Sequence, residues 1–263
     1  MFVSLSSPLL FIVLALAVLG SAGLGILAGA RLRGRSEAGH NSVGVVQGTL
    51  LGLVGLLLAF GLTMSVGRYE MRRQLVVKEA NAIGTTYLRA QMLSEPARST
   101  SLDLLKEYTD RAIDLADQVP TNAEFRADRS RLGELQRELW AAAGVALAAD
   151  PAGTAPRLYI ETLNETIDVN GERVASLFDR VPSTVLLLQV VGGAVAIGVL
   201  ALYLSLLGRG ATTSLVASIV VIMILFVSFD LDRPQRGFIT VPFASLTDVR
   251  AEMDEPPAVT VAP

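Results

Sequence analysis

The chain has no cysteine among its 263 residues, a single histidine, a single tryptophan and only 6% aromatic residues. Without cysteine there are no disulfides, no thiolate metal sites and no thiol nucleophile. The lone His40 sits in a short polar stretch and reads as a solvated loop residue. No second histidine or evident base stands ready to activate the many Ser and Thr hydroxyls. No glycine-rich loop precedes a helix as a phosphate cradle would. The sequence therefore carries no catalytic site, no metal site and no cofactor site. Charge is also scarce. Only 18% of residues are Asp, Glu, Lys or Arg, and the net charge of −3 gives no nucleic-acid signal.

Apolar residues, in contrast, are abundant. They make up 51% of the chain, and the mean hydropathy is +0.50. They fall into four blocks, residues 8–30, 43–67, 183–207 and 211–229. Each is near the roughly 20 residues that cross a bilayer as a helix. The first block is too long for a signal-peptide core and is preceded by no Lys or Arg, so it reads as a retained span. Between blocks two and three lie 15 of the 22 Lys and Arg and 18 of the 25 Asp and Glu. The chain thus divides into a first transmembrane hairpin (1–67), an inserted polar domain (68–182), a second hairpin (183–232) and a C-terminal tail (233–263). The Pro-rich end of that tail reads as disordered.

The inserted domain reads as helical. No proline occurs in residues 43–95, so one helix could run unbroken for roughly 80 Å from the membrane into the domain. Val76, Ala80, Ile83 and Tyr87 recur on one face of it. The sequence "SEPA" at Ser94 supplies a break. Thr121 and Glu124 then form a capping box ahead of a seam of Phe125, Leu132, Leu135, Leu139 and Ala142. A second seam runs through Ile160, Leu163, Ile167, Val174, Leu177 and Val181 and holds Asn170, a polar residue that can fix register or oligomer state. The domain's acidic residues interleave with basic ones, as on solvated helix faces. The expected fold is an all-α membrane protein: four transmembrane helices, with a cytoplasmic helical bundle inserted between the second and third.

Sidedness follows from basic residues near the spans. The face holding both termini and the bundle has Arg68, Arg72, Arg73, Lys78, Arg173, Arg180, Arg233 and Arg236. The other has Arg31, Arg33, Arg35 and Arg209. Both termini and the bundle are expected in the cytoplasm.

Block two carries the most chemistry. Gly44, Gly48 and Gly52 are four apart, followed by Gly55, Ala59 and Thr63. Small residues at this spacing let membrane helices approach closely. Two readings stand: tight packing within a protomer or oligomer, or a helix lining a narrow pore. In the second, Gln47, Thr49, Gly52, Ala59 and Thr63 are the pore-lining candidates. At the span's end Arg68, Arg72 and Arg73 either hold lipid headgroups or ring a pore mouth and attract anions. Asp230, Asp232 and Arg233, just after block four, either form local ion pairs or join that mouth network.

The segment "FGLTMSVGRYEMRR" resembles the prokaryotic bestrophin pattern, a pore helix ending in an aromatic-rich Arg-x-x-x-x-Arg segment, with Phe60, Arg68, Tyr69 and Arg73 at matching offsets. Together, "RYEMRRQLVVKEANAIGTTYLRA" and "FDLDRPQRGFITV" resemble the bacterial four-span proteins called bestrophin-like, over nearly the whole chain. The tryptophans of the bestrophin segment, its aromatic and isoleucine constriction residues and the acidic calcium clasp of animal bestrophins have no counterpart. The resemblance implies a homo-oligomer, pentameric by analogy, in the bacterial inner membrane. It implies an ion channel, anion-selective for chloride or another small anion, lined by the second span. The alternative is a non-conducting scaffold or sensor that binds partners through its bundle. Membrane lipid and further copies of the chain are the expected partners.

Overall fold

The computed structural model describes residues 6–32, 37–120, 122–208, 211–233, 235 and 237–259. Among these the chain is helical throughout, with no strand. The elements are α1 (Ser7–Leu32), α2 (Glu37–Ala90), α3 (Ala97–Asp117), α4 (Ala123–Ala149), α5 (Thr154–Ser176), α6 (Ser183–Leu206), α7 (Ala211–Leu231) and α8 (Ala244–Glu252). Four helices are long and apolar enough to cross a membrane: α1, α2 from Val43 onward, α6 and α7. The unbroken run of non-proline residues yields what it predicts. α2 continues for 54 residues, about 80 Å, through Gly61, Gly67 and Gly84. The backbone of His40 lies in its first turns, not in a loop.

The chain divides into two compact units, residues 1–69 with 180–240 and residues 70–179 with 241–263. In the first, α1, α6 and α7 pack on one another around Leu10, Leu14, Val18, Leu186, Ile197, Leu225 and Phe229. The tightest crossing is that of α1 with α6, made by small residues. A Cβ on Gly29 would stand 2.6 Å from the Ser205 Cβ, and one on Gly198 would stand 2.4 Å from the Ser21 hydroxyl. Close approach of this kind is what small side chains permit in a bilayer, where lipid is as apolar as leucine and packing must supply the attraction. So α1 packs most tightly on the third span.

In the second unit α4 packs against both α3 and α5, and α8 lies on α3. The seam residues Phe125, Leu132, Leu135, Leu139, Ala142, Leu163, Val174 and Leu177 are buried, whereas Ile160 and Ile167 are half-buried. The α4 N-cap is Asn122, whose Oδ1 accepts from the Phe125 amide at 2.7 Å. The expected cap, Thr121, lies outside the described residues. The C-terminal residues are not a free tail as far as they are described. Leu246 and Met253 are buried, the Tyr87 hydroxyl donates to the Met253 carbonyl at 2.9 Å, and Arg98 donates to the Val259 carbonyl at 3.2 Å. A proline-rich composition hid this because the apolar anchors precede it. Residues 260–263 are outside the described range.

Candidate functional site: the exposed face of α2

An α-helix advances about 100° per residue, so positions 45, 49, 52, 56, 59, 63, 67, 70, 74, 77, 81, 85 and 88 form one straight stripe along α2. Twelve of them are exposed and Glu70 has a side chain 43% exposed. In the first unit the stripe positions 45–67 are all exposed among the described residues. Only 11% of the α2 span is buried, against 28%, 39% and 44% for α1, α6 and α7.

Four of the sequence candidates lie on it: Thr49, Gly52, Ala59 and Thr63. Gln47 does not. It lies 16 residues before Thr63, about 160° round the helix. Polarity alone suggested it, and polarity does not fix the face. The glycines divide into two kinds. A Cβ on Gly48, Gly52, Gly55 or Gly67 would meet nothing within 4 Å. Gly44 and Gly61 are used inside the protomer, against the Tyr203 ring and the Gln189 amide. Gln189 is fully buried and donates to the Leu57 carbonyl at 3.2 Å. The small-residue spacing in α1, through Ser21, Gly25 and Gly29, is the signal that could have located the intra-protomer crossing.

Polar groups on the stripe bond to their own helix. The hydroxyls of Thr49, Thr63 and Thr85 donate to the carbonyls of Val45, Ala59 and Asn81 at 3.0, 2.9 and 2.9 Å. Each leaves its oxygen lone pairs facing outward. The α1 and α7 spans expose Leu16, Leu24, Leu27, Val216, Ile219 and Val220, with Arg31 exposed at the end of α1 and Thr212 and Thr213 at the start of α7.

The charges at the end of the α2 span do not act together. Arg72 is buried, with 2% exposure. Its Nε donates to the Ser176 carbonyl at 3.1 Å and its Nη2 to the Asp179 carbonyl at 2.7 Å. It thus caps the C-terminus of α5, where unsatisfied carbonyls and the helix dipole favour a cation. This removes Arg72 from the expected mouth ring. Arg73 is exposed and pairs with Glu70 at 3.3 Å. Arg68, two residues from Glu70, projects about 200° away from it.

Asp230, Asp232 and Arg233 are buried. Arg233 pairs with Asp230 at 3.2 Å and donates to the Ser7 hydroxyl at 3.0 Å. Asp230 also accepts from the Ile239 amide at 2.9 Å, and Asp232 accepts from the Val181 amide at 2.9 Å. Gly237 allows this fold-back, because a Cβ there would meet the Asp230 carboxylate at 2.7 Å. The cluster joins the start of α1, the approach to α6 and the end of α7. Pro234 and Arg236 of the same motif lie outside the described residues.

The second unit has a polar core that its sequence conceals. Glu79 and Arg173 form a buried ion pair, and both were expected on solvated or flanking positions. Asn170 donates to Glu79 Oε1 at 2.7 Å and accepts from Gln136 at 3.3 Å. Arg173 also donates to the Ala112 carbonyl at 3.2 Å. Nearby, burial and then the Glu79 charge push the Tyr108 phenol above its ordinary range. Burial pushes Tyr159 up to about 12. Beside Asn170 and Gln136 lies a cavity of about 500 Å³ between α4 and α5, also lined by Leu132, Val174 and Phe178. Among the described residues no cluster of His, Asp and Glu could hold a metal ion.

The profile of the bestrophin-like domain matches residues 14–246. The chain belongs to the bestrophin-like family. Solved structures of a bacterial bestrophin homolog from Klebsiella pneumoniae share the fold. One variant has 17% identity and a TM-score of 0.65 over 90% of this chain and 97% of the homolog. A second, solved by Zn-SAD phasing, has 16% identity and a TM-score of 0.63 with the same coverage. No curated protein sequence matches the chain. The bestrophin-like chain is thus an all-α membrane protein with four candidate spans.

Proposed function

We propose that the protein is a homo-oligomeric ion channel in which the second span of each copy faces a common axis. The observation that carries this reading is the α2 stripe. A face meant for lipid would be apolar and would stop at the membrane boundary. This one carries Thr49 and Thr63 within the span and is covered by nothing among the described residues. Copies arranged around an axis would give it water on that side and use the unoccupied space at Gly48 and Gly52 for close approach. A pentamer is the stoichiometry that the resemblance implies, and the excess of basic residues beside the bundle supports a cytoplasmic bundle and termini in a bacterial inner membrane. Of the three arginines that would ring the mouth and favour anions, Arg72 is buried against α5, which leaves Arg68 and Arg73 to supply that charge.

The scaffold reading has one observation in its favour, the 500 Å³ cavity between α4 and α5 in the second unit. The experiment that separates the two is reconstitution of the purified protein in planar bilayers, with its mass measured in the same detergent. The channel reading expects a symmetric oligomer and discrete currents. A monomer, or an oligomer that passes no current, supports the scaffold.

A further inference from the structure

The cavity between α4 and α5 lies wholly within the second unit, and the reading of the α2 face makes no use of it. Its volume of about 500 Å³ is within the range of pockets that hold small organic ligands. Its walls have two characters. Leu132 and Val174 are buried, and Phe178, stacked edge-on with Phe125 at 6.1 Å, adds an aromatic wall. Asn170 and Gln136 supply amides. Asn170 is held by its bond to Glu79, and Gln136 by its bond to Asn170.

Two glycines keep the space open. Gly133 and Gly171 line the cavity from the interiors of α4 and α5. Glycine is a poor helix former, and a mid-helix glycine usually has a packing or a functional reason. Close packing does not account for these two. A Cβ on Gly171 would meet nothing within 4 Å, and one on Gly133 would meet only Nη1 of Arg137, at 4.0 Å. Gly29 and Gly198, by contrast, permit a helix crossing. What Gly133 and Gly171 supply is the empty volume itself.

Charge gives the class of ligand. Arg129, Gly133 and Arg137 follow one another at single-turn spacing on α4, so two guanidinium groups flank the glycine. Both arginines are exposed, and neither has a hydrogen-bond or ion-pair partner among the described residues. The acids nearby are engaged elsewhere. Glu107, Glu134 and Glu138 all pair with Arg131. The one acid among the lining residues, Asp168, accepts from Asn164 on its own helix at 3.0 Å. A guanidinium presents a planar fork of donors that matches a carboxylate or a phosphate group.

We propose that this cavity binds an amphipathic organic anion. Its apolar body lies against Leu132, Val174 and Phe178, and its carboxylate or phosphate group is held by Arg129 and Arg137. The proposal does not depend on whether α2 lines an ion path.

The test is calorimetric titration of the purified full-length protein in detergent, with the detergent alone as blank. The probes are octanoate, octyl phosphate and octylammonium, which share an apolar body and differ in headgroup. At least one of the two anions should bind saturably, the tighter one naming the headgroup, and octylammonium should not bind. Arg129→Gln, a surface change, should weaken binding severalfold, most at low salt. Gly171→Leu fills the cavity and should abolish binding. Its side chain enters empty space, so the melting temperature should not fall. Octylammonium binding as tightly as the anions overturns the assignment of charge. Anion binding unchanged in Gly171→Leu, or in Arg129→Gln combined with Arg137→Gln, overturns the placement in this cavity. A wild type that binds neither anion overturns the proposal and leaves the channel reading intact.

Discussion

Nδ2 of Asn170 stands 2.7 Å from Oε1 of Glu79, and on the same carboxylate rests the guanidinium of Arg173. All three side chains are buried in a bundle whose other charges are mostly at the surface. Taking one member from a buried ion pair leaves the other uncompensated, at about 3–5 kcal/mol. Arg173→Met is therefore expected to lower the melting temperature in detergent sharply. Glu79→Met combined with Arg173→Met should recover much of the loss, since paired apolar replacements leave no orphan charge. If the double variant is as unstable as the sum of the two singles, the pair is not coupled.

Arg72 and Arg73 are adjacent in sequence and opposite in consequence. Arg72→Met removes two hydrogen bonds from a cation to the last carbonyls of the α5 segment and is expected to cost about 1.5–3 kcal/mol, the range for bonds to charged groups. Arg73→Met should stay within about 0.5 kcal/mol, as surface changes do. Thermal melts of the two variants check this. Equal melting temperatures would contradict the capping role of Arg72.

The glycines give a second contrast. Gly29→Ala places a methyl group 2.6 Å from the Ser205 Cβ, so α1 and α6 must separate and the protein should lose yield and stability. Gly52→Leu meets nothing within 4 Å in its own chain and should leave the protomer folded. Its effect is expected in assembly: a smaller particle by mass measurement, or a blocked axis. An unaltered mass together with an unaltered current would remove Gly52 from any interface.

Asp254 lies in the C-terminal segment, outside the spans. A hydrogen bond from Lys106, then one from Arg250, holds its carboxyl below the ordinary value of 3.8. A depressed carboxylate stabilises the folded state fully above its ordinary value. It loses that contribution as the pH falls through the folded value. Cleavage around α8 by pepsin, which works in acid, should therefore accelerate as the pH falls below 3.8. Lys106→Met should flatten that dependence. A wild-type cleavage rate unaffected by pH would oppose it.

Much of this architecture is legible in the residues, and the exceptions share one cause. Four apolar blocks become four spans. The proline-free run through residue 90 becomes α2, since nothing in it stops a helix. The seams of α4 and α5 are buried because periodicity is a local property. The site is less legible. Thr49 and Thr63 share an exposed face through their spacing, but Gln47, equally polar, lies on the far side of the helix. Arg72, Glu79 and Arg173 look like surface charges because burial of a charge depends on partners a hundred residues away. The last turns of α5 and the residues just after them meet Glu79 and Arg72 only after folding. Asn170 was the one visible sign of that network, a polar residue in an apolar seam.

The central claim, that α2 faces water along a symmetry axis, is tested most directly by cysteine accessibility. The chain has no cysteine, so each introduced thiol is unique. Single cysteines at Thr49, Leu56 and Thr63 on the stripe would be compared with cysteines at Leu16 and Val216, exposed positions on α1 and α7. The probe is a charged, membrane-impermeant thiosulfonate applied to the reconstituted protein. The account predicts that the stripe cysteines react and that reaction changes the current, while those at Leu16 and Val216 stay unreactive. Stripe cysteines as unreactive as the Leu16 and Val216 controls would contradict it, because α2 would then face lipid or a sealed interface.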